Sequence, residues 1–79
     1  MMAIDTDWFK KQIEQTPAGS LRRLASQMKN HLGKPMDVAS LSRIINGKQA
    51  MAVSDAVQLA QAFDCDVRDV IKRAGFKVP

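Results

Sequence analysis

Three observations predict an all-α fold, a compact bundle of about five short helices. Apolar residues recur three and four positions apart through most of the chain, as they do along one face of a helix. Glycine and proline interrupt this pattern at short intervals and mark the turns. No stretch alternates between apolar and polar residues for long enough to form a β-strand. Because the chain has 79 residues, 46% of them hydrophobic, we expect a single domain over 1–79.

The first helix is predicted over about 7–15. Asp5 or Thr6 is placed to cap it, because a side-chain oxygen there accepts from the free N–H groups of the first turn. Three apolar residues mark its inner side: Ile4, Trp8 and Ile13. Trp8 is expected in the core, where an aromatic ring contributes much apolar contact. The segment 16–19 contains a proline and a glycine and is expected to be a break.

The second helix is predicted to begin after Ser20, a good N-cap residue, and to run to about Leu32, with Gly33 ending it. Five residues form its inner stripe: Leu21, Leu24, Ala25, Met28 and Leu32. Arg22 and Arg23 lie in its first turn, where the helix dipole and two cations together favour a phosphate. The segment 34–37 is a turn, because Pro35 prevents a continuous helix.

The third helix, about 38–46, begins after Asp37 and ends at Gly47. Its apolar stripe consists of Val38, Leu41, Ile44 and Ile45. Its opposite face consists of Ala39, Ser42, Arg43 and Asn46. This face is small and polar, and an arginine on it can donate two hydrogen bonds to a guanine edge. We interpret the segment as a recognition helix for the DNA major groove, although any amphipathic helix of a small bundle also has a polar face.

Two further helices complete the predicted bundle. The fourth covers about 53–63, and its buried side is expected to comprise Val53, Val57, Leu59, Ala60 and Phe63. The fifth covers about 67–74, with Asp66 as its cap and Gly75 as its stop. Its inner residues are expected to be Val67, Val70 and Ile71. Phe76 and Val78 follow, and the fifth helix together with this tail is our candidate for a dimer surface.

Positive charge is concentrated in the middle of the chain. The net charge is +4, and residues 20–49 alone carry +5 because Asp37 is their one acid. The basic residues of that region are Arg22, Arg23, Lys29, Lys34, Arg43 and Lys48. Residues 53–73 carry −1. This asymmetry favours a phosphate-binding surface, and a solvated basic face without a partner is the alternative.

From Ser20 to Ile71 the chain resembles the lambda-repressor-like, or Cro/C1-type, helix-turn-helix family. Four segments carry the resemblance: Leu24-Ala25, Leu41-Ser-Arg-Ile44, Asn46-Gly-Lys48 and the run from Leu59-Ala-Gln-Ala-Phe63 to Val67-Arg-Asp-Val-Ile71. The resemblance implies a lambda-repressor-like bundle and a phage or prophage transcriptional regulator. Such a protein binds double-stranded operator DNA, here as an expected homodimer.

The resemblance also implies the DNA contacts, position by position. Base-reading positions are Val38, Ala39 and Arg43, to which we add Ser42 from the same polar face. Phosphate-contacting positions are Ser20, Asn46, Lys48 and Gln49. Leu21 stands where the family often has glutamine, so that contact falls to the backbone or to Arg22. We add Arg23, Lys34 and Ser40 to the phosphate set.

The chain departs from the family pattern in the turn before the third helix. Ala25 and Leu41 are 16 positions apart, several more than the family's usual spacing. The surplus must lie within 29–37. We therefore expect the second helix to be longer by one to two turns and the turn to be enlarged, which makes Lys34 an extra phosphate candidate.

Other functions are less well supported by the sequence. A helical protein-interaction module of the same fold, antitoxin-like or adaptor-like, is the alternative, and the apolar residues Met51, Phe76 and Val78 favour it. One histidine, one cysteine and no tyrosine supply no plausible catalytic set and no metal site, so we expect no enzyme, cofactor or small-molecule ligand. RNA binding is disfavoured because no exposed aromatic is evident. No apolar run spans a membrane, and a cytoplasmic location is expected.

Overall fold

The structure, a computed structural model, describes residues 4–75. They form five helices: α1 (Thr6–Gln15), α2 (Leu21–Gln27), α3 (Val38–Ile45), α4 (Val53–Phe63) and α5 (Val67–Arg73). The one β feature within these residues is an isolated antiparallel bridge between Lys29 and Pro35. The predicted all-α bundle is therefore confirmed. None of the five helices is long and apolar enough to cross a membrane.

All five helices contribute to one hydrophobic core. Helix α2 packs against α3, α4 packs against α5, and α1 contacts both α3 and α4. The largest fully buried side chains are Phe9, Leu24, Leu41, Ile44, Ile45, Leu59 and Val70. Three of these seven belong to α3, so the back of this helix lies at the centre of the bundle. Its orientation is thus set by close packing rather than by a few surface contacts.

Helix α1 is anchored by Phe9 rather than by Trp8. Phe9 is fully buried, whereas Trp8 is half-buried at the rim and packs edge-on against Phe9, with ring centroids 4.9 Å apart. The prediction that Trp8 lies inside the core was therefore wrong, although its ring does pack against the edge of the core. Its solvent side is covered by the guanidinium of Arg73, 5.5 Å from the ring centroid. Asp5 caps the helix as predicted, accepting from the Trp8 N–H.

The start of α1 is tied to the ends of two other helices. The Thr6 hydroxyl donates to the Ile45 carbonyl at 2.7 Å, which satisfies a terminal carbonyl of α3. The Asp5 N–H donates to the Arg73 carbonyl at 2.8 Å at the end of α5. The Asp5–Arg73 ion pair alongside is exposed and adds little stability. These contacts close the bundle and hold the C-terminal end of α3 in place.

Helix α2 ends much earlier than the sequence predicted. It stops at Gln27, and the expected extension to Leu32 was wrong. The chain instead forms a short hairpin over 28–36, with hydrogen bonds from the Asn30 N–H to the Lys34 carbonyl and from the Met36 N–H to the Met28 carbonyl. The surplus residues therefore enlarge the turn, as predicted, without lengthening the helix.

Two polar side chains explain why the helix stops. The side-chain Oδ1 of Asn30 accepts from the N–H groups of Leu32 and Lys34, a local turn that competes with helical bonding. Gln58 on α4 accepts from the Lys29 N–H at 2.7 Å and donates to the Lys29 carbonyl at 2.9 Å. Leu32, assigned to the inner stripe, is 67% exposed at the hairpin tip.

The hairpin should depend on this pair of hydrogen bonds. We expect Gln58→Ala to lower the free energy of unfolding by about 1–2 kcal/mol, because two hydrogen bonds to the Lys29 backbone are lost. Amide hydrogen exchange at Lys29 and Met36 should accelerate more than elsewhere. Gln15→Ala, which removes an exposed glutamine from α1, is the matched control. Equal protection of these amides in both variants would contradict the role of Gln58.

Two of the five residues predicted for the buried side of α4 are exposed. Val53 is 67% exposed and Val57 is 39% exposed, so their assignment to the buried side was wrong. Leu59 and Ala60 are buried as expected, and Phe63 is half-buried. Ala56 and Asp55 complete the inner side. The Asp55 carboxylate is accommodated there because it accepts from the Ala52 N–H at 3.0 Å.

Helix α5 follows the prediction closely. Asp66 caps it by accepting from the Arg68 N–H, and Gly75 follows its end with a φ of +83°. Val70 is fully buried, while Val67 and Ile71 are half-buried and packed against the core. The apolar residues of α5 are thus used inside the domain. The predicted role of Phe76 and Val78 lies outside the described residues.

Candidate functional site

Helix α3 presents the small polar face that the sequence predicted. Ala39, Arg43 and Asn46 are exposed and Ser42 is half-buried, whereas Leu41, Ile44 and Ile45 are buried on the opposite side. Val38, a predicted base-reading residue, is half-buried and packs against the core. Within residues 4–75 these three positions, Ala39, Arg43 and Asn46, are left uncovered and are accessible to a large partner.

The two ends of α3 are formed differently. Asp37 takes the N-cap position, as predicted, but its carboxylate accepts no N–H of the first turn. At the other end the Gly47 N–H donates to the Ile44 carbonyl and the Lys48 N–H to the Arg43 carbonyl, a Schellman ending. Gly47 has a φ of +77°, and a Cβ there would lie 2.9 Å from the Ile4 side chain. Glycine is therefore required at this position for two reasons: the positive φ is strained for other residues, and a Cβ would be too close to the Ile4 side chain.

The Arg43 side chain is held in place by two neutral neighbours. Its Nε donates to the Gln49 side-chain oxygen at 3.1 Å, and one Nη donates to the Ser40 hydroxyl at 3.1 Å. Of the five N–H groups of a guanidinium, three therefore remain available. Since neither neighbour is charged, the positive charge is not neutralised. The structure thus presents an oriented, charged donor on the exposed face of α3.

This arrangement gives Ser40 and Gln49 a role that the sequence did not reveal. Both were predicted to contact phosphate, and both instead bond Arg43 in the free protein. Ser40 lies one turn before Arg43, a spacing at which helical side chains meet. Gln49 lies beyond the helix, and only the reversal of the chain at Gly47 brings it back. The sequence alone contained no signal for that second contact.

Asn46 is oriented by its own helix. Its side-chain amide donates to the Ser42 carbonyl at 2.8 Å. Asn46 and Ser42 also line a cleft of about 390 Å³ between α1, the start of α2 and α3. Ser20 lies in the same cleft, and its hydroxyl caps α2 by accepting from the Arg23 N–H, as predicted. The structure therefore brings three predicted contact residues together.

The cleft also contains residues that sequence analysis did not single out. Lys10 and Glu14, one helical turn apart on α1, form its far wall. Lys10 adds a cation beside Ser20 and Asn46, and Glu14 adds an opposing charge. The sequence gave no reason to include Lys10 among the candidate site residues, because only the apolar side of this helix stood out.

The six basic residues of the central region are all exposed. They are Arg22, Arg23, Lys29, Lys34, Arg43 and Lys48. Within residues 4–75 the ion pair that forms is between Arg73 and Asp5, so none of the six is paired with a described carboxylate. Lys34 and Lys29 lie on the hairpin, Arg22 and Arg23 on α2, and the other two at α3. The surface around the α2–α3 pair therefore carries unneutralised positive charge.

Two sulfur-containing residues, Cys65 and Met51, pack in or against the hydrophobic core. Burial raises the pKa of the Cys65 thiol, and the carboxylates of Asp69, Asp66 and Asp64 raise it further, so the thiol stays protonated at neutral pH. Met51, cited above in favour of a protein-interaction module, is 7% exposed and belongs to the core. It therefore gives no support to that alternative.

No protein-family model, no curated protein and no solved structure shows a significant match to the chain.

Proposed function

We propose that this protein is a sequence-specific DNA-binding transcriptional regulator that reads operator DNA with α3. The observation that carries the proposal is the exposed Ala39–Arg43–Asn46 face of α3, whose opposite side is buried in the aliphatic core, together with exposed cations on α2, on the hairpin and after α3. A helix with small and polar exposed residues suits the major groove, which admits one α-helix. The three free N–H groups of Arg43 suffice for a bidentate contact with guanine O6 and N7.

Affinity and specificity would come from different residues. Arg22, Arg23 and Lys48 are exposed cations placed to neutralise phosphates, which supplies affinity without sequence information. Ala39 is small enough to contact a thymine methyl, while Arg43 selects guanine. One such arginine discriminates by about 1–3 kcal/mol, so further specificity requires DNA shape and paired half-sites.

Selection of bound duplexes from random DNA tests the proposal directly. We expect an enriched, two-fold symmetric motif containing a guanine in each half-site, and binding that weakens steeply as salt is raised. Fluorescence anisotropy on the selected duplex and on a scrambled one measures the specificity. Failure to bind any duplex at low salt would refute the proposal and would favour the protein-interaction module.

Lys48 offers a test of the non-specific component. We expect Lys48→Ala to weaken binding to all duplexes by a similar factor and to reduce the slope of log K against log salt by about one, because one phosphate contact is lost. Lys72→Ala removes the same charge from α5 and is the matched control. A slope that falls equally in both variants would show that net charge, rather than a contact at Lys48, sets the salt dependence.

A further inference from the structure

The exposed side of α4 lacks charge. Positions 49–63 contain one charged residue, Asp55, and it is only 8% exposed. Charged residues make up 25% of the whole chain, and the solvent side of a surface helix is normally polar and charged. This surface is therefore unlike the rest of the molecule, which is basic near α2 and α3 and mixed in charge near α5.

Two exposed valines lie on this surface. Val53 and Val57 are one turn apart, 67% and 39% exposed, and Gln61 continues the same row one turn further. Residues spaced by four form a ridge along a helix, and two such ridges interdigitate when helices cross at about −50°. The neutral α4 ridge, defined as Val53, Val57 and Gln61, therefore has the form of a helix-packing surface with no helix on it in the described chain.

We propose that the neutral α4 ridge is the dimer contact of this protein, and that its occupant is the same ridge of a second copy. Two identical chains of net charge +4 repel each other, and contact through the α2–α3 surface would bring exposed cations together. A two-fold interface must be complementary to itself. The neutral ridge meets that requirement, because its valine side chains and its glutamine amide can each contact the same groups of the second copy without bringing like charges together. Around a two-fold axis near Val57 the two Val57 side chains meet.

The size of the ridge sets the strength of the dimer. Helix α4 has 11 residues and is about 16 Å long. One such helix face covers less than the roughly 800 Å² per partner that stable complexes use. The dimer is therefore weak in solution and is completed on DNA, where two half-sites raise the effective concentration of one copy near the other. This proposal places the dimer surface on α4, whereas the sequence analysis suggested the fifth helix and the tail, and the tail lies outside the described residues.

Sedimentation velocity without DNA tests the dimer. We expect reversible self-association of the wild-type chain, and at least about a tenfold larger dissociation constant for Val57→Lys, because two like charges are brought together. Gln15→Lys adds the same charge on α1 and should dimerise as the wild type does. Circular dichroism checks that both variants are folded. A wild type that is monomeric up to about 1 mM, where an association of about −4 kcal/mol is half complete, overturns the proposal.

A mixing experiment excludes a folding explanation. Val57→Lys and Val57→Glu should each be monomeric alone and should form a heterodimer when mixed, because a two-fold contact places opposite charges together. Absence of the heterodimer overturns the assignment of Val57 to the axis. The inference deepens the proposed function, yet the two fail separately. Dimers without DNA binding refute the function alone, and a monomer that binds DNA refutes the dimer alone.

Discussion

Replacing Arg43 with alanine is expected to remove the preference for guanine at one position of each half-site. The loss should be about 1–3 kcal/mol of discrimination, since a bidentate arginine–guanine contact is worth that amount. The structure supports a large effect because the guanidinium is already oriented by Ser40 and Gln49, so little side-chain entropy is lost when DNA binds. The measurement is the affinity for the selected duplex and for duplexes with each base substituted at that position.

Arg43→Lys is the matched control for charge. Lysine retains the cation but lacks the planar fork, so this variant should keep the salt slope of the wild type and still lose most of the guanine preference. Gln49→Ala, which removes the partner of Nε, should lie between the wild type and Arg43→Ala. If Arg43→Ala instead weakens all sequences alike, as expected for Lys48→Ala, then Arg43 contacts phosphate and the base-reading role is wrong.

Replacing Phe9 with alanine is expected to destabilise the protein by about 3–5 kcal/mol, the range for removal of a fully buried phenylalanine. Phe9 is 0% exposed and packs against both Trp8 and Phe63, with ring centroids 4.9 and 6.2 Å away. In a domain of this size each kcal/mol lowers the melting temperature by about 4–8 °C, so a shift of at least ~12 °C is expected. Thermal unfolding followed by circular dichroism measures it.

Two variants determine whether the effect is specific to the core. Phe9→Leu retains most of the buried volume and should cost much less than Phe9→Ala. Trp8→Ala removes a larger but half-buried ring and should also cost less, although the sequence had placed Trp8 inside. If Trp8→Ala proves the more destabilising of the two alanine variants, the inner face of α1 is assigned incorrectly here.

Much of α3 could be predicted from local sequence. Its aliphatic residues recur at helical spacing, Gly47 is a strong stop signal, and the polar residues between them occupy the remaining side. The structure buries and exposes these residues as expected. What could not be predicted is how Arg43 is held, because Gln49 reaches it only after the chain has reversed direction.

The second helix shows where the sequence pattern was misleading. Leu32 continues the stripe of Leu21, Leu24, Ala25 and Met28, and a helix to Gly33 satisfies every local rule. The helix ends at Gln27 because Gln58 forms hydrogen bonds with the N–H and the carbonyl of Lys29. In addition, the Asn30 side chain accepts from two N–H groups of the turn that follows. Gln58 is 29 positions away along the chain, so its competing hydrogen bonds have no local signature.

Helix α4 shows a similar limit. Val53 and Val57 are apolar, and a sequence pattern treats every apolar residue as a candidate for the core. Ala56, Leu59 and Ala60 face inward because α5 and α1 pack on that side, which leaves the valines exposed at the edge. Helix α4 has two adjacent apolar faces, and the buried one is the face against which the neighbouring helices pack. The same exposure is the basis of the proposed dimer surface.

By itself the sequence determined the helical class, the bounds of four of the five helices to within a residue or two, and the polar face of α3, because these follow from spacing, caps and glycine positions along a short stretch of chain. The tertiary structure alone decided the end of α2, the inner face of α4, the central place of Phe9 and the orientation of Arg43. Each of these depends on which distant groups compete for the same hydrogen bonds or the same buried volume, and that competition is settled only when the helices pack.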